Sequence, residues 1–597
     1  MRSVKKIYKL MKKFLLKISV CVLCALIVCT SLSGCLNPEK KEKLPAPEVV
    51  IGYDGTATWS EIENTLYYVY VIDDNAEKMT IGRTVRLELN QSIKVKAVSN
   101  DSGLYLDSDY SEVRKYTSSE KPVNCTHADN DSNGKCDLCG ESVKIELTFM
   151  SINDLHGKFM DTPSQSGVDE LTTYLKNLYA DDAREEVLLS AGDMWQGSVE
   201  SSTNKGRLMT RWMNEVGFEG MALGNHEFDW GADVLKPNSE QAEFPFLAIN
   251  VKYNGKPADF CQASTVVERA GIKIGVIGAI GDCLGSVSGE FSGGLEFITG
   301  SALTRLVKDE AERLRNKEDC KFIVYTIHDG YGESLSPTSV TALSKSEFSH
   351  YYDTSLSDGY IDLVFEGHTH QSYVVKDDYG VIHMQGGGEN RYLSRADVSF
   401  NIITSDYTVA PKLVSSNEYA SSDIGGDGVV NEIFKEFFPD DNPYTTVLGK
   451  NGTRRNSDEI CKTVAKLYYE TGRAQWSGYN VVLGGGYLKL RTPYRLEQGN
   501  VTYADIFSIL PFDNAIVLGK IRGYDLKRAF LSDKNNYHVF STISYSEVSD
   551  NTYYYIITDT YSAYYRYNNV TETARLGDGT YARDLLAEYV RGGGYSY

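Results

Sequence analysis

The chain has 597 residues, a hydrophobic content of 42% and a formal net charge of −20. This length is too great for one hydrophobic core, so the sequence predicts three or four domains. A surface with such an excess of acidic side chains repels nucleic-acid polymers, so any phosphate-bearing substrate is expected to be small and to meet local positive charge or metal.

The N-terminus has the layout of a signal peptide. The first 34 residues carry seven basic side chains and no acidic one, and Ile18–Leu32 is an uncharged apolar run. Leu32-Ser33-Gly34-Cys35 resembles a bacterial lipobox, which implies cleavage after residue 34, lipidation of Cys35 and a lipoprotein tethered to the extracytoplasmic face of the membrane. The alternative is an uncleaved anchor, although the run is shorter than the about 20 apolar residues of a spanning helix. Residues 35–44 are predicted to be a polar tether.

Residues 45–118 alternate apolar and polar side chains, as half-buried strands do. The segments Leu66–Ile72 and Ser92–Val98 show this period of two, and turn residues recur at short spacing. The region resembles an all-β fibronectin type III sandwich. The resemblance implies a spacer or adhesive module with a possible surface partner, and no chemistry.

A cluster of cysteines and one histidine follows in the predicted linker 119–144. A Cys-x-His pair and a Cys-x-x-Cys pair together supply four ligands for a tetrahedral structural zinc: Cys125, His127, Cys136 and Cys139. Two alternatives remain, a disulfide between Cys136 and Cys139 and a calcium loop that lacks the closing bidentate glutamate. No disulfide is predicted among the scattered cysteines, which are Cys261, Cys283, Cys320 and Cys461.

Residues 145–410 contain five short apolar runs, each followed by a polar cluster. The runs are Leu147–Ile152, Val187–Leu189, Gly220–Leu223, Phe322–Ile327 and Ile361–Phe365. The clusters are Asp154-Leu155-His156-Gly157, Gly192-Asp193, Gly224-Asn225-His226-Glu227, His328-Asp329-Gly330 and Gly367-His368-Thr369-His370. Such runs predict buried strands of an α/β sheet, whose carboxyl ends bring these side chains to one edge. A helix is predicted over Leu303–Leu314.

The side chains of these clusters are enough to hold two divalent metals. Asp193 can bridge both ions with its two oxygens, Asn225 adds a neutral oxygen, and the histidines suit zinc, manganese or iron. Two metals ~3.5–4 Å apart would generate a hydroxide nucleophile and neutralise a phosphoryl group during in-line displacement. His226, oriented by Asp229 three residues later, is then free to meet the phosphoryl or leaving-group oxygen.

A linker is predicted at 411–445, followed by a C-terminal α/β unit at 446–597. That unit is expected to hold a helix over Asp458–Thr471 and a strand that runs into a glycine turn at Gly484–Gly486. Pro511-Phe512-Asp513-Asn514 follows a further predicted element.

The ordered clusters resemble the calcineurin-like metallophosphoesterases, in the branch of 5′-nucleotidases and 2′,3′-cyclic-nucleotide phosphodiesterases. The resemblance covers about 145–597 and implies a four-layer αββα sandwich with a C-terminal nucleoside-binding domain that can rotate over the metals. It also implies a catalytic dyad of His226 and Asp229. It implies one metal on Asp154, His156, Asp193 and His370, and the other on Asp193, Asn225, His328 and His368.

The C-terminal unit departs from that family in its substrate residues. Phe512 fits the family's base-stacking Pro-Phe-x-Asn, but the usual Asn and Arg around the triple glycine fall on Leu483 and Leu488. The candidate substitutes are Arg491, Arg454 or Arg455 for phosphate and Tyr564 or Tyr565 for the base. Packing or turn formation is the alternative role for all of them. Leu576-Gly577-Asp578-Gly579 keeps three of the four residues of a later family motif.

The sequence thus predicts a surface-tethered two-metal phosphoesterase acting on nucleoside 5′-monophosphates or 2′,3′-cyclic nucleotides. One alternative is a hydrolase of another phosphoester, such as a nucleotide sugar or polyphosphate. The other is a catalytically weak surface binding protein or adhesin on the same fold.

Overall fold

The structure is a computed structural model that describes residues 41–117, 125, 127–130, 133–162, 166–179, 185–287, 291–420, 428–491, 493–532, 537–567, 569–577 and 580–596. The predicted signal peptide and Cys35 lie outside these ranges, as do Asp578 and Gly579. Within the described ranges, no helix is both long and apolar enough to cross a membrane. The chain divides into two compact units, one of residues up to Lys144 with Asn401–Thr404, the other of 145–400 with 405–597.

The first unit contains two small antiparallel sheets. Its strands, β1–β9, are Glu42–Lys43, Val49–Ile51, Thr56–Trp59, Thr65–Ile72, Lys78–Thr80, Thr84–Arg86, Ser92–Ser99, Tyr105–Leu106 and Arg114–Lys115. One sheet has the order β2-β3-β6 and the other β5-β4-β7-β9, while β1 and β8 form a separate parallel pair. One hydrophobic cluster contains Trp59 of the first sheet together with Tyr68 and Val95 of the second. The predicted strands at Leu66–Ile72 and Ser92–Val98 are confirmed as β4 and β7, while the fibronectin type III assignment stays a prediction.

Two larger sheets form the catalytic half of the second unit. Strands β10–β25 are Lys144–Ile152, Glu185–Ser190, Gly220–Ala222, Phe246–Leu247, Val251–Tyr253, Lys256–Pro257, Ser264–Arg269, Ile272–Ile280, Leu295–Phe297, Phe322–His328, Val340–Ala342, Leu363–Glu366, Ser372–Lys376, Ile382–Gly386, Tyr392–Asn401 and Tyr407–Ser415. One sheet has the order β13-β12-β11-β10-β24-β25 and the other β16-β17-β19-β21-β23-β22-β20. All five predicted strands are confirmed, as β10, β11, β12, β19 and β21.

Side chains alternate across these strands, so each sheet faces a helical layer on one side and the other sheet on its opposite side. Between the sheets, the rings of Phe149 on β10 and Phe322 on β19 stack at 5.0 Å. Their neighbours Met150 and Ile323 instead join the clusters that contain the helices. The result is the αββα arrangement of four layers.

The helical layers come from α1–α8. These helices are Asp169–Leu178, Val199–Ser202, Arg207–Glu215, Ala232–Gln241, Gly300–Lys317, Lys345–Phe348, Ser416–Ala420 and Val429–Phe437. The predicted helix Leu303–Leu314 lies within α5, whose residues Leu303, Val307, Ala311 and Leu314 are buried at helical spacing.

The segment predicted as a linker at 411–445 contains regular structure instead. Residues 411–415 complete β25, which pairs with β24 over nine residues of register from Tyr392 to Phe400. Helix α8 buries Val430, Ile433 and Phe434 in the core of the catalytic domain. The apolar residues of α8 recur at helical spacing, which was the signal in the sequence for a helix in this segment.

The C-terminal domain is a five-stranded sheet covered by helices. Strands β26–β34 are Val447–Asn451, Arg455–Asn456, Val481–Tyr487, Arg495–Leu496, Gly499–Thr502, Ile516–Arg522, Tyr537–Ser541, Tyr553–Asp559 and Thr571–Arg575. Helices α9–α12 are Ser457–Gln475, Tyr503–Ile509, Gly523–Ser532 and Ala582–Arg591. The sheet has the order β32-β28-β33-β31-β34. The predicted helix at 458–471 is confirmed as α9, which begins with a capping box between Asn456 and Glu459.

The triple glycine lies inside β28 rather than in a turn. A Cβ at Gly484 would collide with Tyr469 of α9, and Gly485 has a φ of +125° beside the carbonyl of His538. The glycines therefore allow α9 and β32 to approach β28 closely. In the sequence alone, such a run of glycines cannot be told from a turn.

Candidate metal centre and substrate cavity

The predicted ligands gather at the carboxyl ends of parallel strands from both large sheets. Strands β10, β11 and β12 of the first sheet lead to Asp154, Asp193 and Asn225. Strand β19 of the second sheet ends at His328, and β21 leads to His368. Because the two sheets face each other, their ends meet, and the residues form one polar cluster in the molecule.

Five of these residues have a left-handed backbone. The φ values are 50° at Asp154, 52° at His156, 55° at Asp193, 69° at His368 and 56° at His370. This conformation is uncommon for residues with a side chain and concentrates at functional sites, where the surrounding structure holds it. The chain thus leaves β10, β11 and β21 through sharp bends that turn these side chains toward the cluster.

Glycines allow the strand ends to approach one another. Gly192 has a φ of +90°, and a Cβ there would lie 2.8 Å from His328 Nδ1. A Cβ on Gly224 would collide with the carboxylate of Asp193. Both positions therefore require glycine for steric reasons.

The donor atoms form two groups, which a third group of His156, Asp193 and His226 links. The first contains Asp154, His156 and His370, with His370 Nε2 3.2 Å from Asp154 Oδ1 and 3.0 Å from His156 Nε2. The second contains Asp193, His328 and His368. In it, His328 Nε2 lies 3.1 Å from Asp193 Oδ2 and 3.2 Å from the Asn225 side-chain oxygen. All seven predicted ligands are thus brought together.

Two of the imidazoles are oriented by backbone carbonyls. The Nδ1–H of His328 donates to the carbonyl of Ala191 at 2.8 Å, and that of His156 donates to the carbonyl of Gln196 at 2.9 Å. A carbonyl can only accept, so Nδ1 carries the proton, and Nε2 of the neutral ring offers its lone pair to the cluster. This is the tautomer that a metal-binding histidine needs.

The predicted dyad is formed beside these groups. His226 Nδ1 lies 2.6 Å from Asp229 Oδ2, and the backbone N–H of His226 donates to Asp193 Oδ1 at 2.8 Å. The His226 ring also lies within 4.8 Å of donor atoms of His156 and Asp193. Geometry therefore places His226 at the edge of the cluster, where it reaches both the ligand groups and the adjoining cavity.

Buried carboxylates dominate the electrostatics of the cluster. Burial opposes the charge of Asp193, but the positive charges of His328 and His226 outweigh it and hold the pKa of this carboxyl well below its usual range. Burial likewise favours neutral imidazoles, yet Asp193 raises the pKa of His328 to about 9. Against the same effect of burial, Asp229 and Asp193 together raise the pKa of His226 to about 10. The buried negative charge thus requires compensation by protons or by cations.

Glu227 has a positioning role that the sequence did not reveal. Its carboxylate is fully buried and accepts backbone N–H bonds of 2.8 Å from Asp193, Met194 and Gly224. One side chain therefore ties together the bends after β11 and β12. A glutamate directly after Asn225-His226 was visible in the sequence, but nothing there indicated that its oxygens point back into the backbone.

A cavity of about 720 Å³ adjoins the dyad and extends to the C-terminal domain. His226, Asp229 and Trp230 line it from the catalytic domain. From the C-terminal domain it is lined by Tyr487, Lys489, Arg491, Phe512, Tyr561, Tyr565 and Arg566, among others. The guanidinium of Arg491 lies 4.8 Å from the centre of the Phe512 ring. The predicted substrate residues Arg491 and Phe512 thus share one wall.

Three other predicted substrate residues, Arg454, Arg455 and Tyr564, lie elsewhere, whereas Tyr565, the alternative to Tyr564, lines the cavity. Arg454 is exposed and lies 3.8 Å from Glu497, and Arg455 packs 4.4 Å from the ring of Tyr595. The hydroxyl of Tyr564 donates to Glu572 at 3.1 Å. None of these three is among the residues that line this cavity. Arg454 and Arg455 directly precede α9, and their contacts are with Glu497 and Tyr595. Neither therefore supplies a cation for a phosphate group in this cavity.

Arg566, Tyr487 and Tyr561 line the cavity although the sequence did not single them out. The π-helical turn Ser562–Arg566 brings Arg566 to the wall, where its guanidinium lies 4.1 Å from the Tyr487 ring and donates to the Tyr561 hydroxyl at 2.6 Å. Single π-helical turns occur often at functional sites. Arginine interleaved with tyrosines was the available signal.

Family models match both halves of the second unit. Residues 147–372 match a calcineurin-like phosphoesterase model, and residues 446–568 match the C-terminal domain of 5′-nucleotidases. The chain belongs to the 5′-nucleotidase family. It is therefore a metal-dependent phosphoesterase of this family.

Individual relatives agree with this family. The chain is 26% identical over 441 residues to a snake venom 5′-nucleotidase from Gloydius brevicauda, a match covering 65% of this chain and 70% of the relative. It is 24% identical over 430 residues to a 5′-nucleotidase from Vibrio cholerae, which covers 64% of this chain and 74% of the relative.

Solved structures show the shared fold. The crystal structure of a 5′-nucleotidase precursor from Thermus thermophilus matches with a TM-score of 0.51 and 16% identity, covering 75% of this chain and 96% of that one. A putative 5′-nucleotidase from Staphylococcus aureus matches with a TM-score of 0.54 and 16% identity, covering 74% and 96%. At this identity the comparison concerns the fold alone.

Calcineurin-like phosphoesterases bind two metal ions, and the donor set of this family member fits two. Carboxylate oxygens, one carboxamide and imidazole nitrogens with oriented lone pairs suit zinc, manganese or iron. Asp193 lies between the groups, with one oxygen toward His328 and the other on the His226 amide. The buried negative charge of this cluster would attract a pair of cations, which would neutralise it.

The predicted Cys/His ligands of the first unit also come together. One donor atom from each of the four residues Cys125, His127, Cys136 and Cys139 lies within 4.8 Å of the others. The thiols of these cysteines, and those of Cys261, Cys283, Cys320 and Cys461, are free.

Proposed function

We propose that the chain hydrolyses nucleoside 5′-monophosphates and 2′,3′-cyclic nucleotides. The observation that carries this proposal is the continuity of the cavity, which joins His226 and Asp229 to Phe512 and Arg491 in one space of about 720 Å³. A phosphoryl group at the dyad and a base at the aromatic wall can therefore belong to the same molecule. Cavities of this size hold ligands of several hundred cubic ångströms.

Seven residues would hold the two cations. One would be held by Asp154, His156, Asp193 and His370, and the other by Asp193, Asn225, His328 and His368. When bound, the cations activate a water nucleophile and neutralise phosphoryl charge. The donor distances and tautomers described above support this assignment.

The chain's own groups orient the substrate and move a proton. Phe512 presents an aromatic face for a base, worth about 1–3 kcal/mol in base-stacking proteins. The Arg491 guanidinium beside it offers charge-assisted hydrogen bonds to a phosphate or ribose oxygen. His226, whose Nδ1 is held by Asp229, keeps Nε2 available for a proton at the leaving-group oxygen.

The test is a panel of phosphoesters incubated with the purified chain and manganese. Nucleoside 5′-monophosphates or 2′,3′-cyclic nucleotides are expected to have the highest kcat/KM, and phosphate or the opened nucleotide is the product. Turnover of every phosphoester except nucleotides would refute the substrate assignment. Inactivity with both metals bound would favour the adhesin alternative.

A second candidate is a substrate with more than one phosphate, such as a nucleoside polyphosphate or a nucleotide sugar. It is favoured by three cationic side chains that line the cavity, Lys489, Arg491 and Arg566. One phosphate does not need three cations, whereas a diphosphate can engage them together. In the same panel, Arg566→Gln is expected to reduce turnover of diphosphates more than of monophosphates; equal losses would contradict this candidate.

We also propose that the enzyme is tethered to the membrane surface through lipidated Cys35, with the N-terminal β unit as a spacer or adhesive module. The basic, apolar and small-residue layout of residues 1–35 supports the proposal. Radioactive fatty acid is expected to label the wild type and not Cys35→Ala. An unlabelled wild type, or equal labelling of both, would overturn it.

A further inference from the structure

The first unit contains a tetrad of cysteine and histidine side chains that shares no residue with the catalytic cluster. We refer to Cys125, His127, Cys136 and Cys139 as the Cys3His cluster. Cys125 Sγ lies 3.4 Å from Cys136 Sγ, and Cys139 Sγ lies 3.6 Å from His127 Nδ1. A tetrahedral zinc with Zn–S bonds of about 2.3 Å places its ligand atoms about 3.8 Å apart, so these separations fit the edges of one coordination tetrahedron.

The donors select a soft cation. Three thiolates and an imidazole prefer zinc to calcium or magnesium, which take oxygen ligands. The backbone N–H of Ala128 points at Cys136 Sγ at 3.4 Å, which is the kind of hydrogen bond that supports a metal-bound thiolate. The donor set therefore indicates zinc and disfavours the calcium alternative.

This part of the chain has almost no other core. Its hydrophobic cluster consists of Cys136, Cys139 and Val143, with Cys125, Leu138 and Ile402 partly buried against it. Half of these side chains are the ligands themselves. A segment with so little apolar surface needs a staple to hold one conformation, and a metal supplies one.

The segment around the cluster contacts two other parts of the first unit. The carbonyl of Leu138 accepts the N–H of Tyr53, at 3.3 Å, and the carbonyl of Asn130 accepts Arg83 Nη1 at 2.6 Å. On the other side, the N–H of Ile402 donates to the carbonyl of Val143 at 3.0 Å. The loop thus binds both the small sheets and the turn Asn401–Thr404.

We propose that the Cys3His cluster binds one structural zinc, separate from the catalytic pair, and that this zinc holds the linker loop against Tyr53 and the turn Asn401–Thr404. Binding displaces the three thiol protons to solvent and leaves the cysteines unable to form a disulfide. The inference does not depend on the substrate of the catalytic site.

Cobalt substitution of the full chain tests the site. Thiolate-to-cobalt charge-transfer bands are expected from the Cys3His cluster and not from a site made only of carboxylates, carboxamide and imidazoles. Cys139→Ser should lose these bands and one metal per chain. Asp193→Asn should lose catalytic metal and keep the bands, and Cys461→Ser, which removes a buried thiol elsewhere, should keep everything.

The wild type alone also decides the question, so a variant that fails to fold does not remove the test. Zinc analysis should find a thiolate-bound ion that resists mild chelation, and the intact mass should match reduced cysteines. Removing that ion should accelerate amide exchange at Ile402 and Tyr53. A wild type without charge-transfer bands, or a mass two hydrogens lower with no zinc at the cluster, would overturn the proposal in favour of a disulfide.

Discussion

Trp230 and Asp513 join the catalytic domain to the C-terminal domain at the wall of the cavity. The indole N–H of Trp230 donates to Asp513 Oδ2 at 2.9 Å, while the buried guanidinium of Arg583 pairs with the other carboxylate oxygen. Arg583 belongs to the same domain as Asp513, so it fixes the carboxylate, and Trp230 makes the contact across the domain boundary. Asp229 of the dyad directly precedes Trp230 in the chain, so the contact between the domains lies next to the dyad.

Trp230→Phe should weaken the link between the domains without changing the metals. The substitution keeps an aromatic ring and removes one hydrogen bond to a charged acceptor, worth about 1.5 kcal/mol or roughly tenfold. We expect kcat/KM for a nucleotide to fall by about this factor, and that for a small alkyl phosphate, which has no base to place on the C-terminal wall, to change little. Equal losses for both substrates would show that Trp230 acts on the dyad instead.

Asp193→Asn should abolish turnover and reduce the content of catalytic metal. The Asp193 carboxylate lies between the two donor groups. The asparagine side chain that replaces it offers only one oxygen and carries no charge. Metal analysis and phosphate release check this outcome. Asp358→Asn, an exposed site, is the matched control, and wild-type activity in the Asp193 variant would disprove the bridging role.

His226→Ala should reduce kcat by about 10²–10⁴-fold, the range typical of a lost general acid or base. Because the histidine also lies within reach of the ligand groups, metal content must be measured in parallel. Retained metal with low kcat identifies a proton-transfer residue, whereas metal loss in step with activity identifies a ligand. Asp229→Asn should give a smaller loss of the same kind, since Asp229 orients the imidazole and raises its pKa but does not transfer the proton.

Phe512→Ala should raise KM for nucleotides by an amount equivalent to roughly 1–3 kcal/mol of lost stacking. A small alkyl phosphate carries no ring that could stack on Phe512, so its kcat is expected to be unchanged. Arg454→Ala is the control from the same domain, because Arg454 does not line the cavity. If Arg454→Ala raised KM as much as Phe512→Ala, the cavity would not be the nucleoside site.

Glu227→Gln should lower the thermal midpoint. The carboxylate accepts three backbone N–H groups, and an amide would present its own N–H₂ to at least one of them, at a cost of about 1–3 kcal/mol for the unsatisfied buried donor. Differential scanning calorimetry of the variant, compared with Glu240→Gln at an exposed position of α4, measures the effect. An unchanged midpoint would mean that the bends after β11 and β12 are held by other contacts.

Local sequence patterns were enough to predict the strands of the catalytic half and the side chains that gather at their ends. Each polar cluster follows a short apolar run. Such a run predicts a buried parallel strand, and the carboxyl ends of parallel strands lie at the same edge of a sheet. Local order along the chain therefore implied proximity in space for Asp154, Asp193, Asn225 and His328. The Cys3His cluster was predictable for the same reason, because its members lie within fifteen residues of one another.

The lining of the cavity, in contrast, depends on contacts between distant segments. Arg454, Arg455 and Tyr564 were plausible by residue type, but the direction of a side chain at the end of a helix or on a π-helical turn depends on packing with distant segments. The same holds for the triple glycine, which resembles a turn until Tyr469 and His538 are placed against it. Short-range patterns specify strands and their ends, whereas a surface assembled from several loops is specified by long-range contacts that no local pattern contains.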